Sequence, residues 1–319
     1  MGAFLRLVRY QNLLIIVFSM LMMFFCVIEP ILQLFNLPST LTWLDVTFLV
    51  LACVCIAAGG YAVNDYYDTV TDSVNRPDAV LVSRKINRST AVNCHIFLSV
   101  LGCIFGFLVS VKIGIWKVGF LFPIIVGLLW YYSTAYKKMF FVGNFVVAVL
   151  TGTIVILPAL YEIPGLLNCP SEVVQYDVFD PYLLLYQSLV VGLFAFMTNL
   201  VREIIKDVED IDGDKTLEAK TMAIVLGQKK TKIVVAFLLL LTVAGLVFLM
   251  LNYLPEPKTY VYISVAVIAP MIFCTYKVLR AEEKKDFHFC STLMKIIMLT
   301  GISYLFIMRY NFLHFRDEF

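Results

Sequence analysis

Asn64, Asp68 and Asp72 stand four residues apart in the stretch NDYYDTVTDSVNRP, directly after a run from Phe48 to Val63 that holds no charged residue. On a helix that spacing stacks the three side chains along one face over roughly 12 Å. Like charges so placed repel, so the ladder asks for a cation. Ligands that are all oxygen favour a hard ion such as Mg²⁺ over a soft transition metal. A second acidic cluster, REIIKDVEDIDGDKTLEAK, begins at Arg202 and contains Asp207, Glu209, Asp210, Asp212 and Asp214. Asp210 and Asp214 repeat the four-residue step and lie 142 positions beyond Asp68 and Asp72. The chain therefore reads as a diverged repeat in which two helices each end in an acidic ladder. Two ladders facing each other across a cavity would hold two metals, and two metals with basic surroundings suit a diphosphate. Asp210, Asp212 and Asp214 also suggest a calcium-binding EF-hand loop. That reading fails, because Lys215 stands where the turn needs glycine and Thr221 where the bidentate glutamate belongs.

The elements that must position these residues are set by composition. The 319 residues are 61% hydrophobic and only 15% charged, against about 25% charged in soluble domains. An all-α, polytopic membrane protein is expected, with a single transmembrane domain covering 1–319. Apolar stretches long enough to cross a bilayer as helix fall at 11–35, 43–64, 92–111, 116–135, 140–161, 182–202, 231–254, 260–279 and 290–311. The first is longer than a signal-peptide core and no small-x-small site follows it, so it is read as a span. Arg6, Arg9, Arg76, Arg84, Lys85, Arg88, Lys137, Lys138, the cluster from Arg202 to Lys232, Lys277, Arg280, Lys284 and Lys285 share one side. That bias predicts a cytoplasmic location for them and for both ladders, with the N-terminus inside and the C-terminus outside. The stretch 161–181, with Glu162, Glu172, Asp177 and Asp180 and no lysine or arginine, is expected to be an external loop. The basic residues thus have a topological explanation, and nucleic-acid binding is not expected. Eight cysteines and three histidines show no zinc-ligand or haem spacing.

The Asn64, Asp68, Asp72 pattern followed by Asn75-Arg76-Pro77, together with Arg202-Glu203-Ile204, Lys206-Asp207, Asp210 and Gly213-Asp214, resembles the UbiA superfamily of intramembrane prenyltransferases. Tyr132-Ser133 with Lys137, and Gly143-Asn144, extend the resemblance over most of the chain. It implies nine helices around a central cavity. It also implies that Asn64, Asp68, Asp72, Asp210 and Asp214, supported by Asp207, bind Mg²⁺ and the diphosphate of a polyprenyl donor. The Lys-Asp-x-x-Asp-x-x-Gly-Asp form of the second motif is closest to the branch that prenylates geranylgeranylglyceryl phosphate. Two departures stand out. Ala79-Val80 and Ser83-Arg84 occupy positions where the family has Arg-Pro and Ser-Gly, and Glu218 occupies one where glycine is usual. Both touch the loop over the cavity, and therefore the acceptor.

Cleaving the C1–O bond of an allylic diphosphate leaves negative charge on the departing oxygens and a delocalised carbocation. Mg²⁺ held by carboxylates neutralises the first, with Lys137, Lys206 and Arg76 as further candidate clamps. Tyr66, Tyr67, Tyr132 and Tyr136 lie near the motifs and offer faces to the second. Arg9 and Asn12, at the start of the first span, are candidate acceptor contacts. The expected activity is Mg²⁺-dependent transfer of a polyprenyl group to a lipid-type acceptor, a prenylglyceryl phosphate hydroxyl. The alternatives are an aromatic quinone precursor as acceptor, or a non-catalytic transporter or cation-binding protein that uses the ladders as a permeation or sensing site.

Overall fold

The computed structural model describes residues 2–75, 77–170, 179–216 and 218–317. The expected roles of Arg76, Glu172 and Asp177 fall outside these residues. Among the described residues nine helices are long and apolar enough to cross a membrane: α1 (Tyr10–Leu34), α2 (Trp43–Tyr67), α3 (Arg88–Lys112), α4 (Trp116–Thr134), α5 (Val142–Leu167), α6 (Tyr182–Glu209), α7 (Met222–Tyr253), α8 (Pro257–Arg280) and α9 (Lys284–His314). No sheet forms among these residues, only an isolated bridge between Val82 and Ile86. The protein is an integral, multi-pass, all-α membrane protein. α6 runs well past its expected polar end, because helix continues where apolarity stops, and α7 begins before its expected start with a segment broken from the rest at Gly227, φ 74.

Two spans carry a wide turn, at Phe24–Ile28 in α1 and Ile263–Ile268 in α8. Each precedes a proline, Pro30 or Pro270. Proline brings no N–H and crowds the carbonyl four residues back, so the backbone slips register there. In α8 the Ala266 carbonyl accepts instead from Thr300 Oγ1 of α9 at 3.0 Å, which keeps a membrane-embedded acceptor satisfied.

The chain forms two compact units, Met1–Tyr136 with Ile154–Leu189, and Lys137–Thr153 with Val190–Phe319. In the first, α2 and α3 approach closely through small residues. A Cβ on Gly102 would stand 2.8 Å from the Ala52 carbonyl, and one on Gly59 3.0 Å from Ser99 Oγ, the kind of contact that joins helices in lipid. Polar ties reinforce the pair. His95 Nδ1 lies 3.0 Å from the Gly59 carbonyl, and Lys112 Nζ reaches Asp45 Oδ2 at 2.5 Å. Glu162, expected in an external loop, is instead inside α5 and fully buried. Its carboxylate accepts from Ser39 Oγ at 2.9 Å, Thr40 N at 2.5 Å and Leu41 N at 3.3 Å. These bonds satisfy the backbone leading into α2, and they explain how the helix tolerates a buried charge.

In the second unit, α5 and α6 meet at Gly152, where a Cβ would lie 2.9 Å from the Gly192 carbonyl. Asn199 Nδ2 donates to Thr151 Oγ1 at 3.0 Å along the same seam. One face of α6, with Val201, Ile204, Ile205 and Val208, is buried in an apolar core with Met271, Cys274, Met294 and Ile297. That packing fixes the rotation of the helix whose end carries the second ladder.

Candidate functional site

α2 stops at Tyr67, Asp68 leaves helical geometry at φ −83 and ψ 2, and a short helix follows over Thr69–Asn75. The four-residue register survives the break. Asp68 N donates to the Asn64 carbonyl at 2.9 Å and Asp72 N to the Asp68 carbonyl at 2.8 Å. Asn64 Nδ2 donates to Asp68 Oδ2 at 2.7 Å, which orients that carboxylate. The other side-chain atom, Asn64 Oδ1, is buried with no hydrogen-bond partner.

Asp65 turns off the ladder, as its position one residue after Asn64 implies, and accepts from Arg9 Nη2 at 2.9 Å. Arg9 itself adopts the left-handed conformation at φ 50, breaking the chain between the Gly2–Leu7 helix and α1, with its guanidinium 5.0 Å from the Tyr61 ring centre. Burial opposes its charge, but Asp65 and Tyr61 outweigh it and raise the pKa above the usual arginine value. Asn12 sits partly buried in the first turn of α1. Ser133 is buried with its hydroxyl donated to the Leu129 carbonyl at 2.9 Å, and Tyr132 beside it is half-buried. Tyr66 and Tyr67 pack edge to face at 5.0 Å, with Trp130 5.9 Å from Tyr67. The loop that departs from the family pattern closes on itself. Arg84 Nη1 donates to the Pro77 carbonyl at 2.7 Å, while Leu81 and Val82 are buried beneath it.

The second ladder repeats the acidic rungs of the first. α6 stops at Glu209, Asp210 interrupts, and a short helix covers Ile211–Thr216. Asp210 N donates to the Lys206 carbonyl at 2.8 Å and Asp214 N to the Asp210 carbonyl at 3.1 Å. Asp207, the counterpart of Asp65, is likewise held from the preceding span of its own unit, by Asn144 Nδ2 at 2.9 Å. Phe141, in the left-handed region at φ 62, starts that span as Arg9 starts α1. Glu209 turns away and receives His288 Nδ1 at 2.9 Å and Ser291 Oγ at 3.3 Å, tying the ladder's base to α9. Lys137 lies half-buried in a single 3-10 turn, Tyr136–Lys138. The Lys138 carbonyl accepts from Lys220 N at 2.7 Å, just beyond the second ladder. Glu203, which the sequence reading did not single out as a site residue, accepts from Arg202 Nη1 at 2.5 Å and Lys206 Nζ at 3.3 Å. Its signal was present as four-residue steps from Arg202 through Lys206 to Asp210.

These donors suit a hard divalent cation. No three histidine, cysteine, aspartate or glutamate side chains among the described residues converge to hold an ion by themselves. Mg²⁺ does not require that, since it is commonly bound by one or two carboxylates, with water and substrate phosphate completing an octahedron. The unpartnered Asn64 Oδ1 beside the Asp68 carboxylate is an oxygen donor of the right kind in the right place.

Nine helices long and apolar enough to span a membrane, among the described residues, with two acidic ladders each set at a broken helix end, define a polytopic membrane protein that gathers carboxylates at the ends of two spans. Residues 21–299 match the UbiA prenyltransferase family, and the chain belongs to that family. It is 32% identical over 250 residues to the digeranylgeranylglyceryl phosphate synthase of Methanosphaera stadtmanae, a match covering 77% of this chain and 82% of that one. A solved structure concerning digeranylgeranylglyceryl phosphate synthase in membranes superposes with a TM-score of 0.64 at 20% identity, covering 96% of this chain and 98% of the other. A UbiA homolog from Archaeoglobus fulgidus bound to GPP and Mg²⁺ shares the fold with a TM-score of 0.56 at 15% identity, over 95% and 99% of the two chains.

Proposed function

We propose that this chain transfers a polyprenyl group from its allylic diphosphate to the hydroxyl of a prenylglyceryl phosphate, with Mg²⁺ as the metal and residues 1–319 acting as one domain. The observation that carries the reading is the duplicated device, a spanning helix that stops at the same rung of an acidic ladder in each unit. The synthase relatives support the acceptor, and the homolog bound to GPP and Mg²⁺ supports the donor class and the metal.

Asp68 and Asp72 in one unit, and Asp210 and Asp214 in the other, supply carboxylate oxygens, with Asn64 as an added donor. When bound, Mg²⁺ neutralises charge on the departing diphosphate and templates it. Asn64 fixes the Asp68 carboxylate, and Asn144 fixes Asp207. Lys137, Lys206 and Arg76 serve as charge partners for phosphoryl oxygens, the lysines as compact point charges and Arg76 through its planar fork of donors. Tyr67 offers a face to the allylic cation, that of Tyr66 being covered by the Arg88 guanidinium 5.1 Å from its centre, and an apolar surround withholds the water that would quench the cation. Arg9, Asn12, Tyr132 and Ser133 belong to the acceptor side, Arg9 acting as the partner that anchors Asp65. Both ladders face the cytoplasm.

Membranes carrying the protein, given labelled geranylgeranyl diphosphate, Mg²⁺ and a panel of acceptors, should yield an ether product with geranylgeranylglyceryl phosphate when products are identified by mass. Chelation should stop it. Product formed only from phenolic acceptors would overturn the acceptor class. Failure to release diphosphate with any acceptor would overturn the enzyme reading and favour a transport or cation-binding role.

A further inference from the structure

The four-residue steps of the second ladder continue deeper than its acidic rungs. Arg202, Lys206, Asp210 and Asp214 occupy successive steps, and their counterparts 142 positions earlier are Gly60, Asn64, Asp68 and Asp72. The two acidic rungs are the same in both ladders. The two deeper rungs are neutral in the first and cationic in the second. A repeat that keeps its metal-binding rungs and diverges in the rungs behind them has acquired a second task on one side only.

The local geometry shows what that task requires. Glu203 lies between the two cations, accepting from Arg202 Nη1 at 2.5 Å and from Lys206 Nζ at 3.3 Å. Its side chain is 11% exposed and that of Arg202 14% exposed, so the group is drawn largely out of water. Two cations thus share this one carboxylate. Arg202 Nε is moreover buried with no hydrogen-bond partner among the described residues. An unsatisfied, desolvated guanidinium N–H is costly unless a ligand acceptor completes it. Arginine is also the side chain suited to phosphate, through its planar fork of donors. Along the helix Arg202 lies about 12 Å from Asp210, at 1.5 Å per residue. Helical side chains lean toward the N-terminus, which carries the guanidinium away from the acidic rungs and favours a separate anion.

We infer that Arg202, positioned by Glu203, binds the phosphate of the acceptor lipid, making a second anion subsite distinct from that of the donor diphosphate. The inference rests on the prenyl-transfer reading above and adds to it the residue that selects a phosphorylated acceptor. Glu203 acts as a positioning residue, holding the fork while the subsite is empty.

The test compares wild type with Arg202→Gln and Arg202→Lys, using geranylgeranylglyceryl phosphate and its dephosphorylated counterpart geranylgeranylglycerol as acceptors. Acceptor and donor KM are measured separately. Binding of each acceptor without donor or Mg²⁺ is followed by thermal shift, and comparable unfolding temperatures of the unliganded variants establish folding. For Arg202→Gln, KM for the phosphorylated acceptor should rise on the order of 10- to 100-fold, the range for losing a buried charge-assisted contact. Donor KM should stay within about twofold, and preference for the phosphorylated acceptor should collapse. Arg202→Lys should recover part of that preference, which a merely structural ion pair would not predict. A variant that keeps wild-type discrimination, or that loses donor and both acceptors equally, overturns the subsite while leaving prenyl transfer intact. Wild-type protein that releases no diphosphate with either acceptor overturns prenyl transfer, and the subsite with it.

Discussion

At the scale of single residues, Asp68 and Asp210 each combine two duties. Their backbone N–H groups close the last turn of a span, and their carboxylates stand at the point where the helix breaks. Replacement by asparagine keeps the shape and removes the charge, so stability should hold while activity does not. Asp68→Asn and Asp210→Asn are each expected to slow Mg²⁺-dependent diphosphate release on the order of 10²-fold, about 3 kcal/mol, comparable to losing one preorganised electrostatic contact. Wild-type rates in both variants, measured on purified protein of unchanged unfolding temperature, would return the ladders to a structural role. Asp65→Asn tests the partition within one motif. Because Asp65 engages Arg9 rather than the ladder, its loss should cost less than tenfold in the same assay, a smaller effect by the same scale. Spacing alone revealed the ladders, since i, i+4 steps are local. It could not reveal that Asn144 secures Asp207 across 63 residues. That link depends on which face α6 buries, which packing decides.

At the scale of elements, the spans were legible because bilayer thickness imposes a length of apolar sequence, whereas their ends were not. Helix persists through polar residues wherever capping or tertiary bonds satisfy the backbone, as in Lys206 to Glu209. Glu162 shows the converse error. Its charge suggested a loop, but donors from residues 39–41, more than a hundred positions away, hold it inside α5. Glu162→Ala should therefore destabilise the protein by about 3 kcal/mol, the scale for stripping several buried donors of their acceptor, while activity per folded molecule is retained. Denaturant unfolding in detergent, paired with the transfer assay, separates those effects. Glu218 offers the opposite experiment. It occupies the left-handed region at φ 51 just past the second ladder, a conformation that favours glycine. An L-residue there costs about 1–2 kcal/mol, and glycine returns part of that in lost chain entropy. Glu218→Gly is expected to raise stability by about 0.5–1 kcal/mol in the same unfolding measurement. A decrease would mean that the Glu218 side chain contributes more than its backbone strain costs.

At the scale of the whole molecule, the repeat and the membrane together decide where chemistry can occur. Each ladder ends an even-numbered span, α2 or α6, so in a chain whose nine helices all cross the bilayer both ladders emerge on the same side. Which side is a question of charge. Arg6, Arg9, Arg84, Lys85, Lys229, Lys230, Lys284 and Lys285 collect at the ladder-bearing ends, while Lys117 and Lys258 stand at the others. Translocating lysine and arginine is disfavoured during insertion, so the bias predicts cytoplasmic ladders and access to a donor supplied from the cytosol. The eight native cysteines must first be replaced, and single cysteines then placed at exposed sites, Ser73→Cys and Thr216→Cys beside the two ladders and Lys258→Cys at the start of α8. With a membrane-impermeant maleimide, Lys258→Cys should label in intact cells, and the other two only after permeabilisation. The reverse pattern would invert the orientation. Labelling of Ser73→Cys and Thr216→Cys from opposite sides would break the parity argument, and with it the use of both ladders on one diphosphate.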